Sequence, residues 1–150
     1  MRMFVFVACL ASIALAAEAA IPEASPEAAV RAAYAADALA LRDKGVPAMS
    51  DAVVGEKLFS RSLLRAINAA PKPPGDPFSD SSPHLVGLKI ASASENGSSA
   101  TVVADFARGD GARERLTYAL VLERREWRID DIGYALLDGE SRTLRGMIAR

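Results

Sequence analysis

One cysteine, one histidine and one tryptophan occur in 150 residues, and the charges nearly cancel, with 18 Lys and Arg against 19 Asp and Glu. Each scarcity excludes something. With Cys9 as the only thiol no internal disulfide forms, so stability in an oxidising compartment must come from packing. A net charge of −1 provides no steering toward nucleic acid or anionic lipid. No glycine-rich phosphate loop is present, and no nucleophile elbow supports a Ser–His–Asp triad. The single histidine, His84, would act as a catalytic base only with a partner such as Asp80, Asp76 or Asp131 within hydrogen-bond reach.

What is present begins at the N-terminus. Met1-Arg2-Met3 carries a positive charge, Phe4 to Ala16 is an almost unbroken apolar run, and Ala17-Glu18-Ala19 supplies the small residues a signal peptidase accepts. The run is shorter than the ~20 residues that cross a bilayer as a helix. A signal peptide over 1–19 and a single domain over 20–150 are expected, with a periplasmic or secreted location. Cleavage removes Arg2 and Glu18, one charge of each sign, so the net charge is unchanged, and Cys9 leaves with the signal. Phe6-Val7-Ala8-Cys9 has a lipobox-like ending. Only eight residues precede that cysteine and the apolar run continues past it, which speaks against a lipoprotein anchor.

Ser25-Pro26-Glu27 has the chemistry of a helix start, and a helix to about Leu41 follows, with Val30, Ala33, Tyr34, Ala38 and Leu41 on one side. A second helix is expected from about Asp51 or Glu56 to Ala69, with Leu58, Ser62, Leu63, Ala66 and Ile67 facing inward. Pro71 to Gly75 stops it. From Asp76 to His84 the sequence is too rich in proline and turn formers for regular structure, and reads as a loop long enough to carry function. Asp76, Asp80 and His84 are spaced by four, but Pro77 and Pro83 preclude the helix that would align them as metal ligands. Neither a metal nor a cofactor is expected.

Beyond the loop the hydrophobic period becomes two. Val86 to Ile90, Val102 to Phe106, Leu116 to Leu122 and Trp127 to Tyr134 read as four strands of an antiparallel meander, with turns at Glu95-Asn96-Gly97, Gly109-Asp110-Gly111 and Arg124-Arg125-Glu126. Ser141 is expected to cap a short final helix through Leu144, Met147 and Ile148. The fold class is therefore α+β, with N-terminal helices packed on a four-stranded sheet.

The last strand reads Trp127-Arg128-Ile129-Asp130-Asp131-Ile132. Strict alternation puts Asp131 on the face of Trp127 and Ile129, whereas a bulge between the two aspartates brings Ile132 in instead. A carboxylate on an apolar face must be paired, hydrogen-bonded or protonated. Either acid is a pocket candidate, or else bonds backbone amides in the Asp76 to His84 loop or at the final helix cap.

Tyr34, Asp76-Pro77-Phe78, Trp127 to Ile132, and Ser141-Arg142 with Leu144 and Arg145 together resemble a family of small exported bacterial proteins of unknown function, similar to the nuclear-transport-factor-2-like cone fold. The family's Asp-Pro-Phe is usually followed by Gln-Asp, where this chain has Ser79-Asp80-Ser81-Ser82. The resemblance implies a cone-like domain over about Ser25 to Ala149, with room for a ligand pocket or an acid–base enzyme.

The residues themselves favour a non-enzymatic binding protein of the cell envelope that engages a protein partner, either in an envelope assembly or by inhibiting a toxin or hydrolase. Asp76, Phe78, Asp80, His84, Asp130 and Asp131 are its candidate binding residues. The alternative is a small-molecule-binding or acid–base enzyme using a cone cavity lined by Asp131 and Tyr118, with Asp131 or Asp130 as base and Tyr118 or Tyr134 as hydrogen-bond donor.

Overall fold

The computed structural model describes residues 25–71, 85–108, 111, 113–135 and 141–149. The expected signal peptide and the Asp76 to His84 loop lie outside these residues. Helices α1 (Pro26–Lys44), α2 (Ala52–Leu58) and α3 (Arg61–Ala69) are followed by strands β1 (Leu85–Asn96), β2 (Ser99–Arg108), β3 (Arg113–Glu123), β4 (Glu126–Ala135) and β5 (Ser141–Thr143), and then by α4 (Leu144–Ile148). The strands form one antiparallel sheet in the order β1-β2-β3-β4-β5, giving an α+β domain. No helix among the described residues is long and apolar enough to cross a membrane.

The first helix starts as its sequence dictates. Ser25 accepts the Ala28 amide, Pro26 occupies a position that needs no N–H, and Gly45 ends the helix at φ 67°, its amide donating to the Leu41 carbonyl. Its buried residues are Pro26, Val30, Ala33, Asp37 and Ala40. The expected positions Ala38 and Leu41 are exposed and half-buried, because Asp37 takes the inward place that hydropathy alone assigns to an apolar residue. Asp37 is only 4% exposed, and its carboxylate accepts the Ala48 amide at 2.8 Å, tying a 3₁₀ turn at Ala48–Ser50 to α1. Lys44 reaches Asp51, the cap of α2, at 2.6 Å; that hydrogen bond, with the Val54 amide, holds the Asp51 carboxyl below its usual range.

The second helix expected from sequence is two helices. Phe59 and Ser60 leave the helical conformation and run beside β4: Phe59 bridges Ile129 in parallel, and the Ser60 amide donates to the Ile129 carbonyl at 2.8 Å. Ser60 then caps α3 by accepting the Leu63 amide. Phe59, Leu63 and Ile67 enter the core, whereas Ser62 is exposed.

The four-stranded meander is also corrected. Ser141 begins a fifth strand, pairing with Ala135, and Thr143 is the residue that caps α4 through the Gly146 amide. The physical reason lies on β4, whose outer edge needs hydrogen-bond partners. Phe59 and Ser60 cover that edge at Ile129, and β5 covers it at Gly133 to Ala135. The two coverings meet at a bulge, because Ala119 pairs with Asp131 while Leu120 pairs with Ile129, leaving Asp130 as the extra residue. One inserted residue reverses the alternation, so Trp127, Ile129, Ile132 and Tyr134 all face the core.

Candidate functional site

The bulge carries two of the acids singled out in the sequence. The Asp130 carboxylate accepts the Ser60 hydroxyl at 2.5 Å and Arg145 Nη2 at 2.6 Å. Arg145 also donates from Nε to the Asp130 carbonyl at 2.8 Å and from Nη2 to the Ser62 hydroxyl at 3.1 Å. Asp131 accepts the amides of Ile132 at 2.9 Å and Arg145 at 3.0 Å, so its charge sits at the start of α4. Together these bonds bracket the α3 cap, the β4 bulge and the start of α4. Charge-assisted bonds of this kind are stronger than neutral ones and fix geometry. Both carboxylates thus hold elements of the fold together.

Asp131 and Tyr118 are not brought together. Tyr118 pairs with Ile132 and is fully buried on the core face, whereas Asp131 pairs with Ala119, which is exposed on the opposite face. The core face is filled: Val30, Phe59 and Leu63 pack with Val102, Phe106, Leu116, Leu120 and Tyr134 in one cluster. Tyr34 stacks at a tilt on Phe106, ring centroids 5.3 Å apart, and burial followed by the nearby Asp37 raises its hydroxyl above the usual tyrosine range. Among the described residues no group of three or more His, Cys, Asp or Glu side chains is placed to hold a metal. Asp76, Phe78, Asp80 and His84 lie outside the described residues.

An open groove of about 610 Å³ lies elsewhere, between α2, α3 and the β3–β4 hairpin. Its floor includes Met49, Leu64 and Ile67, and Arg61, Arg65, Arg124 and Arg128 line it with Glu56, Glu123 and Glu126. Three of these charged side chains are engaged: Arg128 bonds Glu126 and the Lys57 carbonyl, and Glu123 accepts the Arg61 amide at 3.3 Å. Glu123 and Glu126 face each other across a two-residue turn formed by Arg124 and Arg125. These two arginines stand at φ 52° and 69°, the left-handed region in which hairpins ordinarily place Asn and Gly.

Hydropathy gave no reason to single out these groove residues. The available signals were Arg61 and Arg65 one helical turn apart, and the strand spacing that forces Arg124-Arg125 into a tight turn.

No protein-family model and no curated protein sequence matches the chain. Among solved structures it is similar to a SEC-C motif containing protein from Rhodopseudomonas palustris, with 20% identity, a TM-score of 0.42, and coverage of 73% of this chain and 78% of that one. The resemblance to an exported cone-fold family is corrected: no family model and no curated sequence supports it. The shared signals were short strings, and the Trp127 to Ile132 string with Arg145 is accounted for by the β4 bulge and its bracket.

Proposed function

We propose that the mature chain is an exported, non-enzymatic binding protein of the cell envelope that engages a protein partner. The observation that carries this reading is the filled core face of the sheet, on which Tyr118 and Ile132 are fully buried, while Asp130 and Asp131 are engaged by Ser60 and Arg145. Acid–base chemistry needs a polar group beside a space that admits substrate. Here those groups are occupied in packing and caps. The signal-like N-terminus supports export, and the near-neutral charge favours a protein over a nucleic acid as partner.

The Asp76 to His84 segment belongs to the proposed binding surface, with Phe78 as an apolar anchor and Asp80 and His84 as polar contacts. Substituting both Asp80→Ala and His84→Ala is expected to leave the thermal midpoint nearly unchanged while abolishing partner capture from a periplasmic extract. Capture that survives while the midpoint falls would make the segment a structural strap and remove it from the binding surface.

A further inference from the structure

We propose that the groove between α3 and the β3–β4 hairpin receives an acidic peptide segment bearing an aliphatic side chain, contributed by the protein partner. This rests on the binding-protein reading above and adds where the partner docks and by what chemistry.

The first observation is charge. With Arg128 committed to Glu126 and Glu123 to the Arg61 amide, the side chains of Arg61, Arg65 and Arg124 line the groove without an ion pair among the described residues. Against them stand Glu56 and Glu123, whose carboxylate keeps its charge while it accepts the Arg61 amide, so the cations outnumber the acids by three to two. Arg61 and Arg65 are one helical turn apart, a spacing at which like charges repel.

The second observation is the turn. Arg124 and Arg125 occupy left-handed conformations that a branched-free but bulky side chain adopts only at a cost, and Asn-Gly would relieve it. Both features oppose folding in isolation, and both put guanidinium groups on the groove, Arg61 and Arg65 from α3 and Arg124 from the hairpin.

The ligand follows from the lining. Guanidinium forks match carboxylates in two-point hydrogen bonds. Spread over one turn of α3 and a facing hairpin, they suit carboxylates spaced along a chain better than one compact anion. The floor of Met49, Leu64 and Ile67 offers an aliphatic side chain a place to bury. A volume of about 610 Å³ accommodates a few residues rather than a folded element.

The test uses the full mature chain and fluorescence anisotropy with two labelled peptides, one alternating Glu and Leu and the other Lys and Leu. Saturable binding of the acidic peptide alone is expected, weakened about tenfold or more in an Arg65→Gln/Arg124→Gln variant of unchanged thermal midpoint. An Arg124→Asn/Arg125→Gly variant should melt higher than the parent yet bind more weakly. Equal binding of both peptides, competition by inorganic phosphate as effective as by unlabelled peptide, or binding indifferent to the Gln substitutions would overturn the proposal. So would partner capture undiminished by those substitutions, and that result would leave the protein-partner reading standing. Failure of the parent chain to capture any partner would instead remove the reading on which the groove proposal depends.

Discussion

Replacing Trp127 by alanine is expected to cost about 3–5 kcal/mol of stability, the usual range for deleting a large aromatic from a packed core. The indole is 7% exposed, pairs across from Leu122 on β3, and belongs to the cluster that contains Phe59, Leu63 and Ile129. It enters that cluster from the part of β4 preceding the bulge, so nothing from β5 or α4 is positioned by the sequence to fill its place. Urea unfolding monitored by far-ultraviolet circular dichroism gives the comparison directly. A variant within ~1 kcal/mol of the parent would mean that the tryptophan contributes little to the core and is available for binding.

The second large effect is expected at the β4 bulge. Asp130→Ala removes the acceptor shared by Ser60 and Arg145, and should destabilise the fold by roughly 1.5–3 kcal/mol, the range for hydrogen bonds to charged groups. The bracket is partly open to water, with side-chain exposures of 31% for Arg145 and 27% for Asp130, so the larger losses of fully buried ion pairs are not expected. A double-mutant cycle with Arg145→Met isolates the pair. Additive losses in that cycle would mean that the two side chains do not act together, and the bracket would have to be abandoned as a unit.

Much of the sheet was legible because a period of two needs only local sequence. The alternations at Val102 to Phe106 and Leu116 to Leu122 appear in the sheet with those residues facing inward or half-buried. The break at Phe59 and Ser60 was not legible, because Glu56 to Ala69 keeps an apolar pattern compatible with one helix. What divides it is the pairing of Phe59 and Ser60 with Ile129, a contact 70 positions along the chain. Ser141 resembles a cap in sequence for the same reason: its strand exists only because β4 leaves an edge to cover.

The roles of the β4 acids depend on contacts remote in sequence. Hydropathy alternation could pose the choice between a regular strand and a bulge, but the choice depends on Ser60 and Arg145, which wait on either side of Asp130. Asp37 was missed because a polar residue within an apolar stripe carries no sign of its distant amide partner, here Ala48. Of the groove arginines, Arg61, Arg65 and Arg124 are exposed, where composition varies with little consequence for folding, and the left-handed backbone at Arg124 is what sets the hairpin apart.

The most direct measurement of the proposed role is native mass spectrometry of the tagged full-length gene product recovered from the periplasm of its own host. The expected spectrum contains a chain processed near Ala20, or near Ala17, without a lipid adduct, in a stoichiometric complex with a second polypeptide. An unprocessed chain beginning at Met1, a diacylglyceryl mass on Cys9, or a processed chain carrying a small molecule and no polypeptide would contradict it.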